Sequence, residues 1–212
     1  MLRVGIRNAS SRSVPRAMPV VSAPPSAAPS DSVLLDRYSA GDKTALDELF
    51  RRYRAVTYRV AYRLLGREAD ALDAVQNAFI KAFTHLDRFR GTSSFKTWLL
   101  RIASNASLDL GRRRKREGWN EPGGRPVSQG DETDDQPAPD AELERADLRR
   151  TIEAALARLP EAQRTTFVLH VDGELSYREV AEALGISMGT VMSRLYYARQ
   201  KLKTLLSDRL KP

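Results

Sequence analysis

The sequence predicts an all-α chain: two small helical domains joined by a flexible acidic linker. Three observations lead there. Apolar residues recur at helical spacing over about residues 33–116 and again over 146–206. Glycine and proline interrupt those stripes at Gly41, Gly66, Pro160, Gly173 and Gly185, marking element ends. Between the two periodic stretches, residues 117–145 turn acidic and rich in Pro and Gly, as an interdomain tether does. The 212 residues suit one or two domains. An apolar content of 42% with only 7% aromatics favours small cores over one large one.

Composition narrows the chemistry. Lys+Arg 35 against Asp+Glu 27 leaves a formal net charge of +8, so the natural partner is a polyanion, nucleic acid before membrane. Without cysteine there are neither disulfides nor thiolate metal sites, and the chain is compatible with a reducing, cytoplasmic setting. His85 and His170 are the only histidines, too few for a zinc or histidine-based catalytic constellation, so neither a metal nor a cofactor is expected. No apolar run approaches membrane-spanning length.

Residues 1–30 carry four arginines, no acid and scattered prolines, and read as a disordered tail; Met18 offers an alternative start. A first helix is expected over Val33–Ser39, broken at Gly41-Asp42. A long amphipathic helix follows from about Lys43 to Leu65, its stripe formed by Leu46, Leu49/Phe50, Tyr53, Val56/Thr57, Val60/Ala61 and Leu64. After Gly66, a third helix from Glu68 to Leu86 is expected to bury Leu72, Val75, Phe79, Phe83 and Leu86, leaving Asp73, Gln76, Asn77 and Ile80 on another face.

The polar loop Asp87–Ser94 then leads into a helix from about Phe95 to Arg113. Its core side is Phe95, Leu99, Ile102, Ala106 and Leu110. Thr97, Arg101 and Asn105, spaced i, i+4, i+8, share a different face that Trp98 borders. Five adjacent bases, Arg112 to Arg116, exceed what a helix C-terminus needs and suit phosphate contact.

The second domain is expected from about Ala146, with a stripe of Leu148, Ile152, Ala155/Leu156 and Leu159 ended by Pro160. A helix over Glu161–Val171 follows, with Phe167, Val168 and Val171 inward. Ser176 and Glu179 then form an S-x-x-E capping box, so the next helix starts at Tyr177 and keeps Val180, Ala181 and Leu184 on one side. Gly185 supplies the turn and Ser187 caps a last helix with the stripe Val191, Leu195, Ala198 and Leu202. Two short helices across a glycine turn make a helix-turn-helix. Off the stripe stand Met188, Met192, Ser193, Tyr196, Tyr197, Arg199 and Gln200, a mixture suited to base edges, thymine methyls and phosphates in a major groove.

Two runs, DAVQNAFIKAFTHLDRFRGTSSFKTWLLRIASNASLDLGRRR and LPEAQRTTFVLHVDGELSYREVAEALGISMGTVMSRLYYARQKL, in succession resemble the extracytoplasmic-function sigma factors. These are the two-domain group of the sigma-70 family of bacterial RNA polymerase. The resemblance implies a non-enzymatic subunit that binds core RNA polymerase, recognises promoter DNA and helps to open it. It assigns residues 31–116 to sigma region 2 and 146–212 to sigma region 4. Asp73, Gln76, Asn77, Phe79 and Ile80 match the surface that docks on polymerase. Phe89, Arg90, Thr92, Ser93 and Ser94 match the loop that captures an unstacked base of the −10 element. Lys96, Thr97, Trp98, Arg101 and Asn105 match the helix behind that loop, and Arg112 and Arg113 its basic end. Recognition of the −35 element falls to Ser187, Met188, Thr190, Met192, Ser193, Arg194, Tyr196, Tyr197 and Arg199. Many such factors are held inactive by an anti-sigma protein, so that partner is expected as well.

Opening DNA without ATP means holding unpaired bases, which makes Phe89, Phe95 and Trp98 the aromatics of interest, with Phe95 expected in the core. A free-standing helix-turn-helix regulator is the competing reading. A nucleic-acid enzyme lacks an acid/base or metal constellation in any expected helix.

Overall fold

The computed structural model describes residues 28–118 and 139–207, with side chains from residue 145 onward in the second stretch. Within them lie eight α-helices: α1 (Asp31–Ser39), α2 (Thr44–Leu65), α3 (Glu68–Thr84), α4 (Phe95–Arg116), α5 (Pro139–Ala157), α6 (Glu161–Val171), α7 (Tyr177–Leu184) and α8 (Met188–Ser207). A 3-10 turn, Leu86–Arg88, joins α3 to the loop before α4. The described residues contain no strand. The expected tail lies outside them except for Ala28–Ser30, as does most of the expected linker.

Local chemistry sets the ends. Ser30 and Ser94 cap α1 and α4 by accepting the backbone N–H of Val33 and Thr97. Gly66 closes α2 in the left-handed region at φ +71°, and Gly185 closes α7 at φ +63°. The capping box of Ser176 and Glu179 is present in both directions. Helix α5 starts at Pro139, well before the expected Ala146. A proline costs nothing at a first helical position, where its missing N–H has no intrahelical partner anyway.

Helices α1 to α4 enclose one core of Leu34, Leu49, Ala61, Val75, Phe79, Phe95 and Leu99. Helix α3 meets it through Ala71, Ala74, Val75, Ala78, Phe79 and Ala82, a full stripe of mostly small residues that lets its backbone come close. Leu72, expected in this core, lies off that stripe and is 47% exposed. Phe83 and Leu86 are half-buried against the core. A buried ion pair clamps the far end: Arg114 Nη1 of α4 lies 2.5 Å from Asp70 Oδ2 in the first turn of α3.

In the second domain Val191 and Leu195 of α8 pack with Val168, Leu169 and Val180. Ala198 and Leu202 pack with Ala155, Leu156 and Leu159. Two expected core residues are solvent-facing, Leu148 on α5 and Val171 at the end of α6. Val171 is displaced by Leu169, which takes the inward position together with Val168.

The two domains are packed on each other. Val56, Val60 and Leu64 of α2 and Leu100 of α4 join Val168, Leu169, Leu175, Val180 and Ala183 in one continuous apolar core. Gly173 lets the α6–α7 turn lie against α4: a Cβ there would stand 3.2 Å from Leu100 Cδ1 and 2.5 Å from the Leu169 carbonyl oxygen. Next to it, Glu174 holds φ +54°, a conformation that costs a non-glycine residue about 1–3 kcal/mol.

Candidate nucleic-acid interface

At the head of α4 a small cleft opens between the loop and the helix. The 3-10 turn delivers Phe89, whose N–H donates to the Leu86 carbonyl, and Gly91 bends the loop in the left-handed region at φ +67°. Phe89 packs its ring 5.3 Å from Trp98 and 6.0 Å from Phe95. Phe95 is buried beneath as the expected core residue, while Phe89 and Trp98 are half-buried. Those two therefore keep ring surface available for stacking. The cleft encloses about 160 Å³. That is below the ~300–1,000 Å³ of clefts that engulf small-molecule ligands. Arg90, Thr92 and Ser93 line it from the loop and Thr97, Trp98 and Arg101 from α4.

Arg88 lines the cleft too; it lies within the expected loop, but the −10 contacts implied by the resemblance begin only at Phe89. The Arg-Phe-Arg run flanking the aromatic was the available signal. Ser94 sits behind the cleft as the α4 cap, its Oγ 2.8 Å from Thr97 Oγ1. Asn105 is exposed further along α4 and does not line the cleft. Arg112 and Arg113 lie about 26 Å beyond the head of α4 at 1.5 Å per residue. Arg112 donates to Glu161 Oε1 at 2.6 Å, and Arg113 is 4.0 Å from Glu117. The basic run is thus divided: Arg114 serves the Asp70 clamp, and Arg112 reaches an acid of the second domain.

Of Thr97, Arg101 and Asn105, expected to share one face, only the last two are exposed. Thr97 is 1% exposed because α7 covers it, and its hydroxyl donates to Glu179 Oε1 at 3.2 Å. Lys96 is drawn toward Glu174 Oε2 at 3.4 Å. Glu182 and Ala183 of α7 complete the cleft wall. Hydrogen bonds from the Ser176 side chain, then its backbone, then Thr97, hold the Glu179 carboxyl below the usual glutamate range against partial burial.

The recognition helix stands open. Met188, Met192 and Tyr196 recur at i, i+4, i+8 and are exposed, as is Tyr197, whose ring lies 5.4 Å from that of Tyr196. Ser187 caps the helix through the Thr190 N–H at 3.1 Å and shares a hydroxyl contact with Thr190 Oγ1. The Ser193 hydroxyl donates back to the Thr190 carbonyl. Arg194 is half-buried, and Arg199 donates to the Tyr177 hydroxyl at 3.3 Å, steadying the crossing of the two helices.

A third surface lies on α3. Asp73, Gln76, Asn77 and Ile80 share an exposed face, with Ile80 55% exposed, and Leu72 joins them, one turn before Gln76. Phe79, expected on this surface, is buried instead. It packs 4.8 Å from Phe50 and 5.6 Å from Phe83, holding the helix from behind. Among the described residues no group of His, Cys, Asp or Glu could hold a metal ion, and no helix is long and apolar enough to cross a membrane.

Two family models match this chain: sigma-70 region 2 over residues 49–117 and sigma-70 region 4 over residues 149–202. Among curated proteins, the ECF RNA polymerase sigma factor SigW of Bacillus subtilis is 33% identical over 79% of this chain and 92% of its own length. The ECF RNA polymerase sigma factor SigE of Mycolicibacterium smegmatis is 35% identical over 86% of this chain and 70% of its own. Two solved structures are similar in fold. CnrH in complex with the cytosolic domain of CnrY aligns at TM-score 0.62 and 27% identity, covering 84% of this chain and 97% of that one. The sigma factor RpoE in complex with the anti-sigma factor NepR from Bartonella quintana aligns at 0.57 and 25%, covering 76% and 97%.

Proposed function

Because the chain belongs to the extracytoplasmic-function sigma factors of the sigma-70 family, we propose that it directs core RNA polymerase to promoters by means of the three surfaces above. The α3 face docks on polymerase, with Leu72 and Ile80 as apolar anchors among Asp73, Gln76 and Asn77. The α4 head takes an unpaired base of the −10 element against the exposed ring surface of Phe89 and Trp98, and the arginines around it meet the backbone phosphates. Helix α8 enters the major groove at the −35 element and reads it through Met188, Met192, Tyr196 and Tyr197, with more methyl and shape contact than guanine pairing.

In this reading residues 31–116 are region 2 and residues 146–212 region 4, with α5 reaching back to Pro139, and 117–138 form the tether. Two weak readers on one tether act together through effective concentration. The factor works in the cytoplasm, without catalysis or cofactor of its own. An anti-sigma protein is its further partner, as NepR is for RpoE of Bartonella quintana. The observation that carries the reading is an arginine-lined cleft bordered by Phe89 and Trp98 and an exposed helix α8 on the same chain.

The test is transcription from a promoter library by purified core polymerase with and without the protein. Start sites at a fixed distance from a shared two-part motif, seen only when it is present, are the expected result. Initiation failing while the protein alone shifts duplex DNA would replace this reading with a free-standing regulator.

A further inference from the structure

Among the described residues there are two methionines, and both stand on the face of α8 assigned above to the −35 element. Met188 opens the helix at 46% exposure, and Met192 follows one turn later at 49%. Methionine commonly fills gaps in protein interiors, yet none of the three apolar cores contains one. The chain's other two, Met1 and Met18, lie outside the described residues.

The surroundings leave the two sulfurs accessible. A Cβ placed on Gly189 would meet only Ser187 Oγ, at 3.8 Å, so nothing is packed over the helix beside them. From Met188 to Ser207 the helix carries Arg194, Arg199, Lys201 and Lys203 and no acid, so an anionic oxidant meets no repulsion there. With no cysteine in the chain, these thioethers are its most readily oxidised exposed groups.

Oxidation acts directly on what this face can read. When hypochlorous acid meets a thioether, an S–O bond forms, the O–Cl bond breaks, and chloride and a proton leave. Sulfur gives up two electrons and chlorine gains them. The resulting sulfoxide is polar and only accepts hydrogen bonds. A thymine methyl offers it no donor, so docking in the groove strips water from its oxygen without a replacement.

We propose that Met188 and Met192 form an oxidation site at which hypochlorous acid weakens −35 reading by converting both to sulfoxides. This rests on the −35 assignment made above. Thiol-dependent reduction reverses the change, returning the thioether and releasing the oxygen as water. The cleft at the head of α4 is lined by no sulfur, so it keeps its function. Redox state thus reaches one reader and spares the other.

The full chain is treated with a few equivalents of hypochlorous acid, quenched with free methionine, and only then joined to untreated core polymerase. Peptide mass spectrometry reads oxidation at each methionine. Footprinting on a promoter recovered from the library reads −35 occupancy as holoenzyme is titrated. Sulfoxides at both positions should weaken that occupancy about tenfold, the scale of one mismatched base pair. A forked template carrying only the −10 element should bind holoenzyme equally before and after treatment. Methionine sulfoxide reductases A and B with dithiothreitol should restore the footprint. Met188→Gln/Met192→Gln should show the loss without oxidant. Met188→Leu/Met192→Leu, compared with its own untreated level, should lose nothing on treatment.

The proposal is overturned if both sulfoxides form and −35 occupancy holds, or if the Leu variant loses occupancy as well. Loss of helical circular dichroism on oxidation also overturns it, because the fold and not the reading has then failed. Failure of the sigma assignment looks different. The untreated chain then starts no transcription with core polymerase although both methionines still oxidise, and the site has no reading to weaken.

Discussion

The two surfaces proposed to face DNA are built in opposite ways. On α8 the exposed residues stand on a helix whose start is fixed by Ser187, directly after a helix closed by Gly185 and begun by a capping box, all within some 25 residues of sequence. At the head of α4 the groups come from a loop, a helix end and the far domain, and Thr97 is sealed under α7. The first surface is local and open. The second is assembled over long range and closed. A locally capped unit can present its face without help, whereas a face drawn from a loop, a helix end and a second domain depends on all three being in place.

The difference can be broken first at the clamp. Asp70→Ala leaves Arg114 without its buried carboxylate, and removing one partner of such a pair costs about 3–5 kcal/mol. Hydrogen exchange should show α3 and α4 losing protection while α8 keeps its own. Next in size, Trp98→Ala should cut open-complex formation by about ten- to a hundredfold, the 1–3 kcal/mol of one base stack. Permanganate footprinting reads that loss, and −35 duplex contacts should stay unchanged; Tyr196→Ala should reverse the pattern. Smaller still, Ser176→Ala removes the cap of α7 and should lower second-domain stability by about 1 kcal/mol in denaturant melts.

The smallest effect is acid dependence. The Glu179 carboxyl is held low in the folded chain, chiefly by Ser176, so its contribution is present above the ordinary glutamate range. It is lost as pH falls through the lowered folded value. Melting temperatures of the parent and Glu179→Gln should therefore differ near neutrality and converge in acid.

How far the sequence announced this follows the same division. The caps, the glycine turns and the stripe Val191, Leu195, Ala198, Leu202 were legible because each depends on neighbours within one or two turns. The misplaced residues were Leu72, Leu148 and Val171, all large aliphatics that periodicity alone draws inward. For Leu72 the alanines of α3 carried the signal, since a stripe of small residues marks the closely packed side. Phe79 was assigned to the polymerase surface and to the core at once, and burial decides for the core. The packing of the domains was not legible at all. Val56, Val60 and Leu64 continue the stripe of α2 with no mark that their partners lie more than a hundred residues on.

Glu179 divides its two oxygens. Oε2 accepts from the backbone and hydroxyl of Ser176, which starts α7, while Oε1 accepts from Thr97 on the other domain. Only the second bond depends on the first domain, so the turn that begins the helix has an anchor of its own. Helix α7 is therefore a locally finished piece, whose folding does not wait on the contact with α4.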